Sequence, residues 1–200
     1  MADYTAIYEA GESIVNYLKS VMIPEPIAKK EHIGLCEPQS PGDFQLTVWI
    51  YNIRQIKDTG TGTGFHLDAD NPQIERFAPM ELTLNILVSS HSKAAAMQKY
   101  IDEYRMIGRA MQALRDIPTI PPEFLSGTLS ESKEPVALDV LQLDSEEMSR
   151  IWNNSDKIIC PSFGIEVSKI FIRSERTRAA APRVASARFN VRHKTDITKR

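Results

Sequence analysis

The chain has 200 residues, with 24 Lys plus Arg, 26 Asp plus Glu, a formal net charge of −2, 42% apolar and 25% charged residues. That composition excludes collagen, coiled coil and a disordered polymer, and the length suits one domain with a proper core, or at most two small ones. No apolar run approaches the roughly 18 residues of a membrane span, and the opening MADYTAIYEAGESIVNYLKS lacks the basic region and apolar block of a secretory signal.

Residues 3–22 read as a helix. Ile7, Gly11, Ile14, Val15, Leu18, Val21 and Met22 recur at steps of three and four, Asp3 is a candidate N-cap, and Pro24 and Pro26 forbid continuation. A short strand is expected around His32–Cys36. Residues 43–56, DFQLTVWIYNIRQI, are the clearest strand: Phe44, Leu46, Val48 and Ile50 face one way, and Gln45, Thr47, Trp49 and Tyr51 the other. The second face is aromatic rather than charged, so a cover over it is expected too.

Residues 57–78 read as a long functional loop containing GTGTG and Pro72. A second strand, MELTLNILVSS, follows Pro79, and the two strands are expected to pair antiparallel with an extended tip between them. Residues 93–116 are the strongest helix. Its expected buried stripe is Ala94, Met97, Ile101, Tyr104, Ile107, Met111 and Leu114, and Gly108 is read as a point of close packing on the sheet. Val136–Leu143 is a third strand. A short helix opens at Asp144–Glu147, a capping-box pattern, and buries Met148, Ile151 and Trp152. SFGIEVSKIFI (162–172) is a fourth strand. Ala185, Ala187, Phe189 and Val191 alternate with Ser186, Arg188, Asn190 and Arg192, a fifth. The order implies α+β: a mostly antiparallel, mixed sheet packed against two main helices.

The near-neutral total conceals a split. Residues 173–200 carry Arg173, Arg176, Arg178, Arg183, Arg188, Arg192, Lys194, Lys199 and Arg200 against Glu175 and Asp196, a net +7. Residues 1–172 carry 15 basic and 24 acidic side chains, a net −9. The reading is therefore a 1–172 domain with a basic 173–200 arm, the usual mark of an attachment segment. A merely solvating tail is the bland alternative. A polyanion- or nucleic-acid-binding module is the other functional one, weakened by the acidic body and by Phe189 being the arm's one aromatic beyond residue 172.

Catalytic patterns fail one by one. GTGTG is followed by Phe65-His66-Leu67 and has neither the lysine of a phosphate loop nor the spacing of a dinucleotide loop. His32, His66, His91 and His193 stand in no ligand pattern, and Cys36 and Cys160 form neither a zinc pair nor a disulfide framework. Ser89-Ser90-His91-Ser92 has no nucleophile elbow. No enzyme, cofactor or metal is expected; a small enzyme around residues 60–66 is the least supported reading.

Six segments then stand in a telling order: MADYTAIYEAGESIVNYLKSVMIPEPIAKKEHIGL, LTVWIYNIRQI, LTLNILVSSHS, MIGRAMQAL before Pro118, LDSEEMSRIWN and SFGIEVSKIFI. Together they resemble the N-terminal domain of the tail-cap, or tail-terminator, proteins of extracellular contractile injection systems of the antifeeding-prophage and virulence-cassette type. The resemblance implies a tail-terminator-like fold and a homo-oligomeric, hexameric ring. It also implies inner tube and sheath proteins as partners, no membrane, assembly in the cytoplasm and no catalytic residues. The interaction candidates read from the residues are Arg173, Arg176, Arg178, Arg183, Arg188, Phe189, Arg192 and Lys194 on the arm, with Phe65 and His66 on the loop.

Overall fold

Helix α1 covers Ala6–Met22, starting later than the sequence pattern suggests, with Thr5 at the cap position. Asp3 does not cap it: its carboxylate accepts from the Tyr4 N–H, and its own N–H donates to Thr128 Oγ1. The stripe Ala6, Ala10, Ile14, Leu18 and Met22 is fully buried. Gly11 lets the helix lie close on the sheet, since a Cβ there would meet Leu35 at 2.8 Å. A computed structural model of the chain describes residues 2–56, 64–132, 134–152 and 159–180.

The main sheet contains β1 (Ile33–Leu35), β2 (Leu46–Ile56), β5 (Met80–Ser90), β6 (Ala137–Leu141) and β7 (Ser162–Ile172), in the order β1-β2-β5-β7-β6. The pair β1–β2 is parallel and the others are antiparallel, the mixed sheet that the pattern predicts. Helices α1 and α2 (Ala96–Arg115) pack on one face, over Leu46, Val48, Leu84, Ile86, Val88, Ile165 and Val167. The other face is covered as well: Thr47, Leu87 and Ser89 are fully buried. Beside it lies α4 (Ser145–Trp152), whose Glu147, Arg150 and Ile151 share a cleft with Tyr51, Asn85 and Glu166. The capping box of α4 is present in both directions: Glu147 N–H donates to Asp144 Oδ1 at 2.8 Å, and Asp144 N–H donates to Glu147 Oε2 at 3.1 Å.

Two expectations for α2 are corrected. Met97, Ile101, Tyr104 and Met111 face outward; Leu114 is buried as expected, with Met106, Ala110 and Ala113 beside it in the core. Small alanines let a helix approach a neighbour closely, so the alanine side wins the core over the side with larger side chains. A Cβ on Gly108 would meet nothing within 4 Å, so this glycine marks no close packing.

The 57–78 segment is not simply a loop. Its described part holds β3 (Phe65–Leu67) and β4 (Ile74–Phe77), which pair antiparallel, and β8 (Thr177–Ala179) adds to the far side of β4. The resulting order, β3-β4-β8, repeats that of the strands β2, β5 and β7 from which these three continue. The strand ends that face the small sheet in chain order lie at one end of the main sheet, where Ile56 lies opposite Glu81 and Met80 opposite Ile172. The small sheet is thus a three-stranded extension of the central strands.

Candidate interaction surface

The extension is where the sequence-derived candidates meet. Phe65 and Phe77 are register partners, with ring centroids 5.5 Å apart in an edge-to-face contact. The Arg176 guanidinium lies 5.3 Å from both ring centres, and that of Arg178 lies 4.3 Å from Phe65. Each contact adds on the order of 1 kcal/mol. Arg178 also meets Glu75 at 2.7 Å across the β4–β8 pair. The loop candidate Phe65 and the arm candidates Arg176 and Arg178 therefore form one cluster within the chain.

The opposite face of the extension carries His66 and Arg76, register partners on β3 and β4. Arg76 ties the turn together: its Nε donates to Asp68 Oδ2 at 2.5 Å and its Nη1 to the Ser174 carbonyl at 2.8 Å. Asp68 also accepts from the Asp70 and Asn71 N–H groups. The Arg76 hydrogen bond, helped by those amides, holds its carboxyl below the usual aspartate range. His66 and Arg173 line a cleft of about 620 Å³ with Asp68, Asp70, Glu131 and Glu134. The backbone of Arg173 is fixed too, its N–H donating to the Ala2 carbonyl. Arg183, Arg188, Phe189, Arg192 and Lys194 lie outside the described residues, as does the expected fifth strand.

Beta8 runs away from the main sheet, because it is antiparallel to β4, which runs toward Met80. Its last partners sit at the hairpin tip: Ala179 opposite Ile74, and the Ala180 N–H on the Gln73 carbonyl. The chain thus reaches residue 180 at the outermost end of the extension.

Two surface features escape sequence reading. The first is the outward side of α2, where Met97 is 82% and Tyr104 62% exposed, with the Tyr100 and Tyr104 rings stacked. Periodicity shows such a stripe but not which stripe faces the core. The second is the outer edge of β2. Beta1 covers it only from Leu46 to Val48, and residues Asn52–Ile56 are exposed.

Nothing in the described residues assembles a catalytic centre. The Ser-His neighbours are engaged elsewhere: Ser162 Oγ donates to Ser89 Oγ, Ser90 Oγ to the Glu103 carbonyl, and Ser92 Oγ to Asp102, while His91 Nε2 lies 3.1 Å from Thr47 Oγ1. Burial, with the nearby Lys99 charge, pushes the His91 pKa down to about 4, so the ring is neutral at pH 7. No group of three or more potential metal ligands occurs among the described residues, and none of their helices is long and apolar enough to cross a membrane.

Residues 10–186 match the family model described as the Pvc16 N-terminal domain. No curated protein matches the chain. Among solved structures it is similar to the sheath/tube terminator, in the extended state, of the extracellular contractile injection system PVC, with 12% identity and a TM-score of 0.64. That alignment covers 99% of this chain and 67% of the other. It is also similar to the tube-terminating cap of the anti-feeding prophage, with 16% identity and a TM-score of 0.57 over 91% of this chain and 60% of that one. At these identities the likeness is one of fold.

Proposed function

Because the chain belongs to the Pvc16 N-terminal domain family, we propose that it is a structural cap of a phage-tail-like contractile injection system. It ends tube and sheath polymerisation at the end away from the baseplate, and it is not an enzyme. The observation that carries this reading is the fold itself, which aligns along 99% of its length with a sheath/tube terminator. The protein assembles in the cytoplasm as a homo-oligomeric ring of six copies and becomes part of a particle that is released. One face of the ring matches the growing polymer; the other offers no copy of that docking surface, so addition stops. The extension and the basic arm are the attachment devices. The rival polyanion-binding reading is the weaker one, since Arg176 and Arg178 are already engaged by Phe65, Phe77 and Glu75.

The test is co-expression with the tube and sheath proteins of the same system, followed by electron microscopy of particle length. With the protein present, particles of one length carrying an end ring are expected; without it, tubes and sheaths of scattered length. Uniform particles in its absence would remove the capping role.

A further inference from the structure

The geometry points to a specific seat for the arm: residues 184–192 of one copy add as a strand to the open edge of β2, residues 52–56, of the next copy. This rests on the self-assembling cap reading above and names the surface through which copies join.

Three observations carry it. First, other stretches of the sheet margin are taken up within the chain. Residues 118–120 lie along β6, with the Ile120 N–H on the Val136 carbonyl and the Leu138 N–H on the Pro118 carbonyl. Ala2 bridges Ile172 where β6 has ended, and β1 takes the first part of β2. Beyond Val48, whose carbonyl accepts from the Cys36 N–H, no described residue pairs with the outer edge of β2. Bulging at Tyr51 separates this edge from the first half, leaving Asn52–Ile56 in straight register with β5. Five residues are an ordinary strand length. Such a row of unpaired N–H and C=O groups is a template for an added strand. Ile53 shares a face with the fully buried Leu84, its register partner, yet is itself 49% exposed, so the edge also offers an apolar site to cover.

Second, the occupant is the right kind of sequence. Ala185, Ala187, Phe189 and Val191 alternate with Ser186, Arg188, Asn190 and Arg192, giving one apolar and one polar side. Residues 181–200 carry Arg183, Arg188, Arg192, Lys194, Lys199 and Arg200 against Asp196, a net +5, and residues 1–180 a net −7, so arms attract bodies and bodies repel one another. Third, the chain reaches residue 180 at the tip of the extension, heading away from its own sheet. The ten residues from 181 to 190 then span up to about 35 Å. An arm given outward and an edge received elsewhere on the same chain make a heterologous contact, the kind that closes into a ring by rotation. In this pairing Phe189 and its neighbours fall beside Ile53, and Arg188 and Asn190 fall on the side of Asn52.

Two differently tagged chains, each carrying Cys36→Ser and Cys160→Ser, provide the test. One also carries Asn52→Cys; the other carries Ser186→Cys, Arg188→Cys or Asn190→Cys. Mixed under mild oxidation, they are expected to give a disulfide joining the two tags, strongest at one of the three arm positions. Phe189→Pro, which removes a strand donor, is expected to abolish both the crosslink and the higher-order species in sedimentation. Rings that form without a crosslink at any position, and that tolerate Phe189→Pro, would overturn this seat while leaving the cap reading intact. Rings that form without the arm, but no longer bind tube or sheath protein, would assign the arm to those partners and overturn it too. A protein that stays monomeric and never caps particles would defeat both.

Discussion

Glu9 clips the first helix to the short helix α3 (Gly127–Glu131), and its charge is held there by geometry. Its carboxylate is buried and accepts from Thr5 Oγ1 at 2.6 Å, Thr128 Oγ1 at 2.7 Å and the Leu129 N–H at 3.1 Å. Burial alone would raise its pKa; the hydrogen bonds outweigh it and hold the carboxyl below its ordinary value. A depressed carboxylate contributes stability above its unfolded pKa and loses it as pH falls through the folded one. Glu9→Gln is therefore expected to cost about 1–3 kcal/mol at neutral pH and to flatten the acid limb of the stability curve below pH ~4, both read by urea unfolding. Gly127 belongs to the same clip, at φ +54° with its Cβ position 2.3 Å from Glu9 Oε1, so Gly127→Ala is expected to cost about 2 kcal/mol or more. His91 acts at higher pH. Its folded pKa of about 4 lies below the ordinary 6.5, so the unfolded chain takes up a proton first and stability falls as pH drops through that window. A melting profile for His91→Gln that declined between pH 6.5 and 4 as steeply as the parent's would contradict this.

At the scale of elements, β7 shows how one residue resets a face. Leu82 pairs with Ile170 but Leu84 with Val167, so β7 holds an extra residue, and Lys169 adopts φ 62° to accommodate it. The bulge returns Ile170 to the core beside Val167, both fully buried. Lys169→Gly is expected to stabilise by up to about 1 kcal/mol, and Lys169→Val to cost about 1–2 kcal/mol. Helix α2 gives the matching test of faces. Met97→Glu with Tyr104→Glu is expected to change unfolding by no more than about 0.5 kcal/mol, whereas Met106→Ala costs about 2–5 kcal/mol. These elements also mark the limits of sequence reading. Strands β2, β5 and β7 and the cap of α4 announce themselves by period two and by reciprocal acids, because those signals are local. The orientation of α2 depends on which stripe fits the sheet, and β3-β4-β8 requires pairing between residues about 100 positions apart. Neither is a local property, so Phe65 and Arg178 were legible as separate candidates and not as neighbours.

For the whole molecule, the division of charge between body and arm gives a further expectation. Removing residues 181–200, which spares the β8 pairing, is expected to leave unfolding unchanged and to weaken attachment. Neutralising Arg183, Arg188 and Arg192 together is expected to make assembly less sensitive to salt; light scattering across a salt series would read this, and an unchanged slope would count against electrostatic attraction.

The three-stranded extension has a mechanical meaning. A pull on residue 180 directed along β8 passes through residues 173–176 into β7, which lies between β5 and β6 in the main sheet. The hydrogen bonds of an antiparallel ladder stand perpendicular to its strands. Such a load meets them in shear, all together, instead of peeling them one at a time. Such a load is carried into the middle of the fold, where the ladders from Met80 to Ser89 and from Ala137 to Leu141 share it.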